Sequence, residues 1–276
     1  MSKTDITRAF AGGKAFIPFV TCGDPNIETT AAVVRALAEA GAAIIELGIP
    51  FSDPTAEGPV IQNANVRALA GGTTTDTVFD LVRDVRAGRP GTDGTFAAAD
   101  ATAPVTTPLV FMTYANVVFH YGIERFCQRM VEVGVDGLIL PEVPLEEKDE
   151  FASVCAQHDL AFISLVAPTS AGRIQAIARE AEGFVYLVSS LGTTGMRDTF
   201  ATDLDAIVAQ IREVTDVPIA IGFGISTPDQ ARTMAAKADG VIVGSAIVAQ
   251  AAEAASPAQA ANTLGAYAKA MVEAVR

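Results

Sequence analysis

Short apolar runs rich in β-branched residues alternate along the chain with longer Ala-rich stretches of helical period. The runs are AFIPFVT (15–21), AIIELG (43–48), PLVFMTY (108–114), GLILP (137–141), AFISLV (161–166), GFVYLVS (183–189), PIAIGFG (218–224) and GVIVG (240–244). They are continuously apolar rather than alternating, as strands of a parallel sheet covered on both faces are. Helical patterns fill 27–40, 61–87, 123–133, 145–157, 171–180, 203–214, 227–236 and 245–274. Eight strand-helix units in one series predict an α/β fold of the closed (β/α)8 TIM barrel type, a single domain over 1–276, in preference to a doubly wound sheet. Capping chemistry agrees: Ser226 or Thr227 precedes Pro228 at a helix start, and Gly41 and Gly134 fall at helix ends. The stretch AGRPGTDGTFAAADATAPVTT (87–107) has little periodicity and reads as a flexible insertion. It joins a helix to the next strand, on the face opposite the one where such barrels carry their chemistry.

Composition narrows the class. Half of the residues are hydrophobic and only 18% charged, enough to bury a large core. The net charge of −13, from 19 basic and 32 acidic residues, argues against nucleic acid or an anionic membrane as a partner. An anionic ligand would have to be held largely by backbone amides. Three cysteines without a C-x-x-C pair, an N-terminus lacking the apolar core of a signal peptide, and no apolar run of about 18 residues read as a cytoplasmic protein with reduced thiols. His120 and His158 have no clustered partners in the sequence, so neither a zinc site nor a Ser-His-Asp triad is expected.

The chemistry is expected in AIIELGIPFSDPTAEGPVIQ (43–62). Glu46 stands inside an apolar strand, where an ionised, unpaired carboxylate is costly. It must be paired, protonated, or facing a pocket that uses its shifted pKa. The Gly/Pro-punctuated loop that follows carries Asp53 and Glu57, and two carboxyls in different environments are a common way to divide acid and base roles. In a barrel the residues just after each strand converge. They are Thr21, Gly23 and Asp24, then Glu46 to Glu57, Tyr114 and Asn116, Glu142, Ser189 to Arg197, Gly222 to Ser226, and Gly244 with Ser245. The glycines of GFGIS (222–226) and the helix start in VGSAIV (243–248) follow the seventh and eighth strands, the usual phosphate position in such barrels. SSLGTTGMRD (189–198) reads either as a lid with glycine hinges or as a plain surface loop. The residues by themselves therefore point to a barrel enzyme that works on a phosphorylated small molecule by carboxylate acid-base chemistry.

The blocks FIPFVTCGDP (16–25), IELGIPFSDPTAEGPVIQNANVRALAGG (45–72), MTYANVVFHYG (112–122), LPEVPLEE (140–147), YLVSSLGTTG (186–195), GFGIS and GSAIV resemble the tryptophan synthase alpha chain family, in family order and over nearly the whole chain apart from 87–107. The resemblance implies a lyase that cleaves indole-3-glycerol phosphate, by a retro-aldol reaction without cofactor or metal, to indole and glyceraldehyde 3-phosphate in tryptophan biosynthesis. It assigns Glu46 as the acid/base at ring carbon 3 and the departing hydroxyl. It puts the second acid, usually Asp, at Glu57, where it stabilises positive charge on the ring nitrogen. Glu keeps the carboxylate and adds a methylene, so either the loop is expected to sit slightly farther back or the chain to fold differently there. Thr55 replaces a more usual Leu, and Glu142 stands where Asp is common. By the same matching Phe19 and Tyr186 line the indole pocket, Thr194 sits on the lid, and Gly195, Gly224, Gly244 and Ser245 hold the phosphate. The resemblance also implies docking on a tryptophan synthase beta chain in an alpha2-beta2 heterotetramer, through Pro50, Phe51, Ser52, Asp53, Asn116 and Phe119. The pyridoxal phosphate of that assembly belongs to the partner. Two other functions compete: a stand-alone lyase releasing free indole, and a phosphate-binding, partner-activating barrel without catalysis.

Overall fold

The computed structural model describes residues 3–89, 103–188, 203–222 and 224–276. Nine parallel strand segments form one sheet: β1 (Ala15–Thr21), β2 (Ile45–Gly48), β3 (Leu109–Met112), β4 (Gly137–Ile139), β5 (Ala161–Phe162), β6 (Ser164–Val166), β7 (Val185–Val188), β8 (Ile219–Gly222) and β9 (Gly240–Val243). Their order is β5-β4-β3-β2-β1-β9-β8-β7-β6. The count exceeds the expected eight because the run at 161–166 changes neighbour at Ile163. Its first half pairs with β4 (Gly137 with Ala161), and its second half pairs with β7 (Ser164 with Val185). The Ile163 amide still donates to Leu138 O at 2.9 Å, so this one stretch of chain closes the ring.

Strand side chains alternate between two layers. Ile17, Phe19, Ile44, Val110, Met112, Ile163, Phe184, Tyr186 and Ile242 pack inside the barrel. Phe16, Val20, Ile45, Leu47, Phe111, Leu138, Leu187, Ile221 and Val243 pack outward against the helices. Glu46 has the parity of Ile44, so the strand that places Ile45 and Leu47 under helices turns this carboxyl into the barrel. At the N-terminal mouth a short helix, α1 (Lys3–Arg8), pushes the fully buried Ile6 into the interior cluster. Just beyond it, the Phe10 ring lies 5.9 Å from that of Phe184. Six residues with one inward side chain leave no readable period, which is why the sequence did not announce α1.

Two predicted helices are each two. The stretch 61–87 is α3 (Pro59–Ala70) and α4 (Thr75–Arg86), with α2 (Ile27–Glu39) before them. Gly72 at φ +84° ends the first, and a Thr74–Thr77 capping box starts the second. A short α5 (Ala115–Tyr121), in a stretch given no helix from the sequence, begins directly after the third predicted run, followed by α6 (Ile123–Val133), which Gly134 ends in the left-handed region. Next come α7 (Asp149–Gln157), α8 (Ile174–Arg179), α9 (Leu204–Arg212) and α10 (Pro228–Ala235), the last capped by Thr227 with Gln230 closing the box. The stretch 245–274 divides into α11 (Ser245–Glu253) and α12 (Pro257–Val275), split where Ser256 caps the second and Pro257 opens it.

Most of the expected 87–107 insertion, residues 90–102, lies outside the described residues. Its flanks are tied below the N-terminal end of β3. The Arg86 guanidinium donates to Gly134 O, Val105 O and Thr107 O at 2.9, 2.8 and 2.7 Å, and to the buried Asp136 Oδ2 at 2.9 Å. Asp136 Oδ2 also accepts the Leu109 amide at 2.9 Å, which fixes where β3 starts.

Candidate active site

Glu46 is fully buried, in register between Phe19 on β1 and Val110 on β3. Neither carboxyl oxygen has a hydrogen-bond partner among the described residues. Without a cation or donors to offset desolvation, burial pushes its pKa from 4.5 up to about 8, and the group carries its proton at neutral pH. A buried carboxyl left unpaired at the end of a barrel strand is a poor structural element and a good proton carrier.

Two glycines of the strand ends make room for the rings around it. A Cβ at Gly48 would lie 2.5 Å from the Phe19 ring, and one at Gly222 would lie 2.6 Å from the Tyr186 ring. Gly222 was grouped with the phosphate loop on sequence grounds; it seats Tyr186 instead. Glycine in a strand signals close approach, but the sequence does not say of what.

The loop after β2 brings in the second acid. Glu57 is 5% exposed, its Oε2 accepts the Tyr114 hydroxyl, and that hydroxyl accepts the Ala56 amide at 2.9 Å. Burial, opposed by the Tyr114 hydrogen bond and aided by the nearby Glu142 carboxylate, raises Glu57 to about 7. The Glu57 carboxyl is thus buried and reaches the phenol. Tyr114 stacks on Phe51 at 5.0 Å between centroids, and burial with the Glu57 contact holds its phenol well above the usual range. Glu142 is also raised by burial, and its Oε1 accepts the Ala115 amide at 2.5 Å. Tyr114 was read only as a member of the converging set, and Glu142 as a member standing where Asp is common; the Tyr114 hydrogen bond to the second acid and the Glu142 charge near it had no signal in the sequence.

One cavity is lined by Phe19, Glu57, Tyr186, Gly224, Gly244 and Ser245 together with Ile61, Met112 and Ile242. Met112 and Ile242 were legible in principle, being two residues beyond the inward-facing Val110 and Gly240. Ile61 came in because α3 starts at Pro59. Helix α11 opens on this cavity at Gly244 and Ser245 with no side-chain cap, leaving its first amides for an anion. Gly224 adopts φ +88°, a backbone setting that favours glycine. Thr194, Gly195 and the whole 189–198 stretch lie outside the described residues. A larger cavity of about 430 Å³ is lined by Thr55, Glu142, Ser164 and Val188 among others.

Other polar residues of the strand ends do not join the cavity. Asp24 is held bidentately by Arg67 at 2.8 and 2.9 Å, Gly23 abuts Thr73, and the Ser226 amide donates to Gln230 Oε1 at 2.8 Å. These are structural. Of the expected docking residues, Pro50, Phe51 and Asn116 line one groove of about 330 Å³. Ser52 and Asp53 lie exposed beside them, and Phe119, 46% exposed, sets its ring edge against Phe151 at 4.9 Å. Among the described residues no group of three or more His, Cys, Asp or Glu gathers to hold a metal, and no helix is long and apolar enough to cross a membrane.

The profile of the family described as Tryptophan synthase alpha chain matches residues 8–276. The tryptophan synthase alpha chain of Lacticaseibacillus casei is 49% identical over 248 residues, covering 90% of this chain and 87% of that one. The alpha chain of Lactiplantibacillus plantarum is 49% identical over 246 residues, 89% and 87% of the two chains. Among solved structures, tryptophan synthase subunit alpha from Legionella pneumophila is similar with a TM-score of 0.81 and 35% identity, covering 100% of this chain and 98% of that one. A chain of Mycobacterium tuberculosis tryptophan synthase gives a TM-score of 0.83 at 31% identity, with 98% of each chain covered.

Proposed function

The chain belongs to the tryptophan synthase alpha chain family, and on that premise we propose that Glu46 and Glu57 are the acid-base pair of its reaction. The enzyme is a carbon-carbon lyase that cleaves indole-3-glycerol phosphate to indole and glyceraldehyde 3-phosphate. In the first step the neutral Glu46 carboxyl gives its proton to ring carbon 3, and positive charge appears on the ring nitrogen. The Glu57 carboxylate stabilises that charge by accepting the ring N–H. In the second step the Glu46 carboxylate takes the hydroxyl proton of the adjacent side-chain carbon, the carbon-carbon bond breaks, and its electron pair returns to the ring. Indole and the aldehyde leave, and Glu46 is protonated again.

The observation that carries this reading is the buried Glu46 carboxyl, held near pH 8 without a partner among the described residues and therefore able to serve in both protonation states. In the same reading Phe19 and Tyr186 flank the ring, and Gly224, Gly244 and Ser245 receive the phosphate on backbone amides and a hydroxyl. Thr194 and Gly195 follow from the resemblance alone. The chain is read as one barrel domain with 87–107 as an insertion remote from the site. The family implies a beta-chain partner. We assign its docking to the face carrying Pro50 to Asp53, Asn116 and Phe119, in an alpha2-beta2 assembly whose pyridoxal phosphate is the partner's. Indole release from indole-3-glycerol phosphate, followed at 25 °C for wild type and Glu46→Gln, tests the reading. The variant is expected to lose activity by at least about a thousandfold; comparable turnover by both would overturn it.

A further inference from the structure

Glu57 has to satisfy two demands that conflict. Its carboxyl must be ionised to stabilise charge on the ring nitrogen, yet the site buries it. Charged and titratable groups face it from three directions among the described residues: Tyr114 after β3, Glu142 after β4, and Tyr186 on β7, whose phenol also feels Glu46. None of these is a cation. Among the described residues it is hydrogen bonding that keeps Glu57 in place and ionisable.

The Tyr114 hydroxyl provides it, with its polarity fixed by geometry. An amide only donates, so the Ala56 N–H at 2.9 Å occupies an acceptor position of the phenol oxygen and leaves the O–H to point at Glu57 Oε2. Oε2 is thus the oxygen held by the phenol, and a backbone hydrogen bond at Glu57 itself adds to the hold on the carboxyl. Tyr114 is itself immobilised: it is 4% exposed, its ring lies on Phe51, and the next amide, Ala115 N–H, is held at 2.5 Å by Glu142 Oε1. The Glu142 carboxylate thus anchors the backbone beside Tyr114 while presenting a like charge to Glu57.

We propose, resting on the lyase reading above, that Tyr114 and Glu142 are positioning residues of opposite sign: Tyr114 holds Glu57 as a carboxylate aimed at the ring nitrogen, and Glu142 sets how readily that carboxylate takes a proton. Neither touches the reacting atoms, and both act through Glu57. The balance is specific to this constellation, because the longer Glu57 side chain meets the phenol with a second Glu, not a cation, behind it.

The two roles separate in a pH profile of kcat/KM for indole release, measured on the full chain. Activity on the acid side requires ionised Glu57. Tyr114→Phe removes the donor that favours the carboxylate, so the acid limb moves to higher pH by ~0.5 unit or more, and kcat falls about tenfold with a smaller change in KM. Glu142→Gln removes the like charge, and the limb moves to lower pH by a similar ~0.5 unit. Glu142→Asp, which keeps the charge, returns the limb toward its wild-type position. Opposite shifts in the two variants, with the Asp variant restoring the limb, are the expected result. A limb that stays in place in either variant, or moves the same way in both, overturns the proposal. A Tyr114→Phe chain that fails to fold leaves the Glu142 pair to decide it. Glu46→Gln run alongside keeps the two readings distinguishable: if it retains activity, the lyase assignment of Glu46 has failed; if it is inactive and the limbs do not move, only the present proposal has failed.

Discussion

At the residue scale the decisive fact is that one carboxyl is buried without compensation. A raised folded pKa means that the folded chain keeps a proton the unfolded chain has released. Stability from Glu46 is therefore fully present below its ordinary 4.5, is lost as pH rises toward about 8, and is level above that. Glu46→Gln cannot titrate. Urea unfolding between about pH 5 and about pH 8 is expected to show wild type losing stability relative to the variant by an amount on the order of a few kcal/mol. Parallel curves would mean that Glu46 is solvated or paired. Gly222 gives a second residue-scale prediction. A methyl group there meets the Tyr186 ring at 2.6 Å, and strand and ring are both packed. Gly222→Ala should cost about 1–3 kcal/mol in stability and at least tenfold in kcat/KM, read by thermal unfolding and indole release.

At the scale of elements, strand and helix types were legible because burial on both faces makes strands uniformly apolar, and helix stripes repeat every three or four residues. Their ends were less so. The break at Gly71 and Gly72 could be taken for a tolerated irregularity in a long helix, until the Thr74–Thr77 box shows a new start. Thr74→Ala is expected to lose about 1 kcal/mol by urea unfolding; no loss would mean that packing alone sets the start of α4. The division of the fifth run into β5 and β6 had no local cause. It arises because one strand must serve two neighbours to close the ring.

At the scale of the whole molecule, the barrel is closed below by Ile6 of α1 and tied at β3 by the buried Arg86–Asp136 pair. Such a pair adds little over an apolar replacement, but breaking it leaves a charge buried. Arg86→Met is expected to destabilise the chain by about 3 kcal/mol or more, measured by chemical denaturation. Simultaneous Asp136→Asn should recover part of the loss. A loss below about 0.5 kcal/mol would show that the three backbone carbonyls held by Arg86 and the buried Asp136 are satisfied without it.

What the sequence determined by itself is the order of strands and helices, hence the barrel, and the fact that Glu46 sits where an acid needs a reason. Both depend on patterns local in the chain, period and parity, which burial imposes on any chain of this order. The glycines and Ser245 at the later strand ends were legible for the same reason, since strand ends in a barrel converge whatever their sequence separation. Only tertiary structure decided that Gly48 and Gly222 seat rings, that Asp24 serves Arg67 and not the site, and that Tyr114 and Glu142 govern Glu57. Those roles rest on contacts between residues 27 to 57 positions apart and on side-chain direction within a few tenths of an ångström. Closing the ring creates both, and no pattern along the chain encodes them.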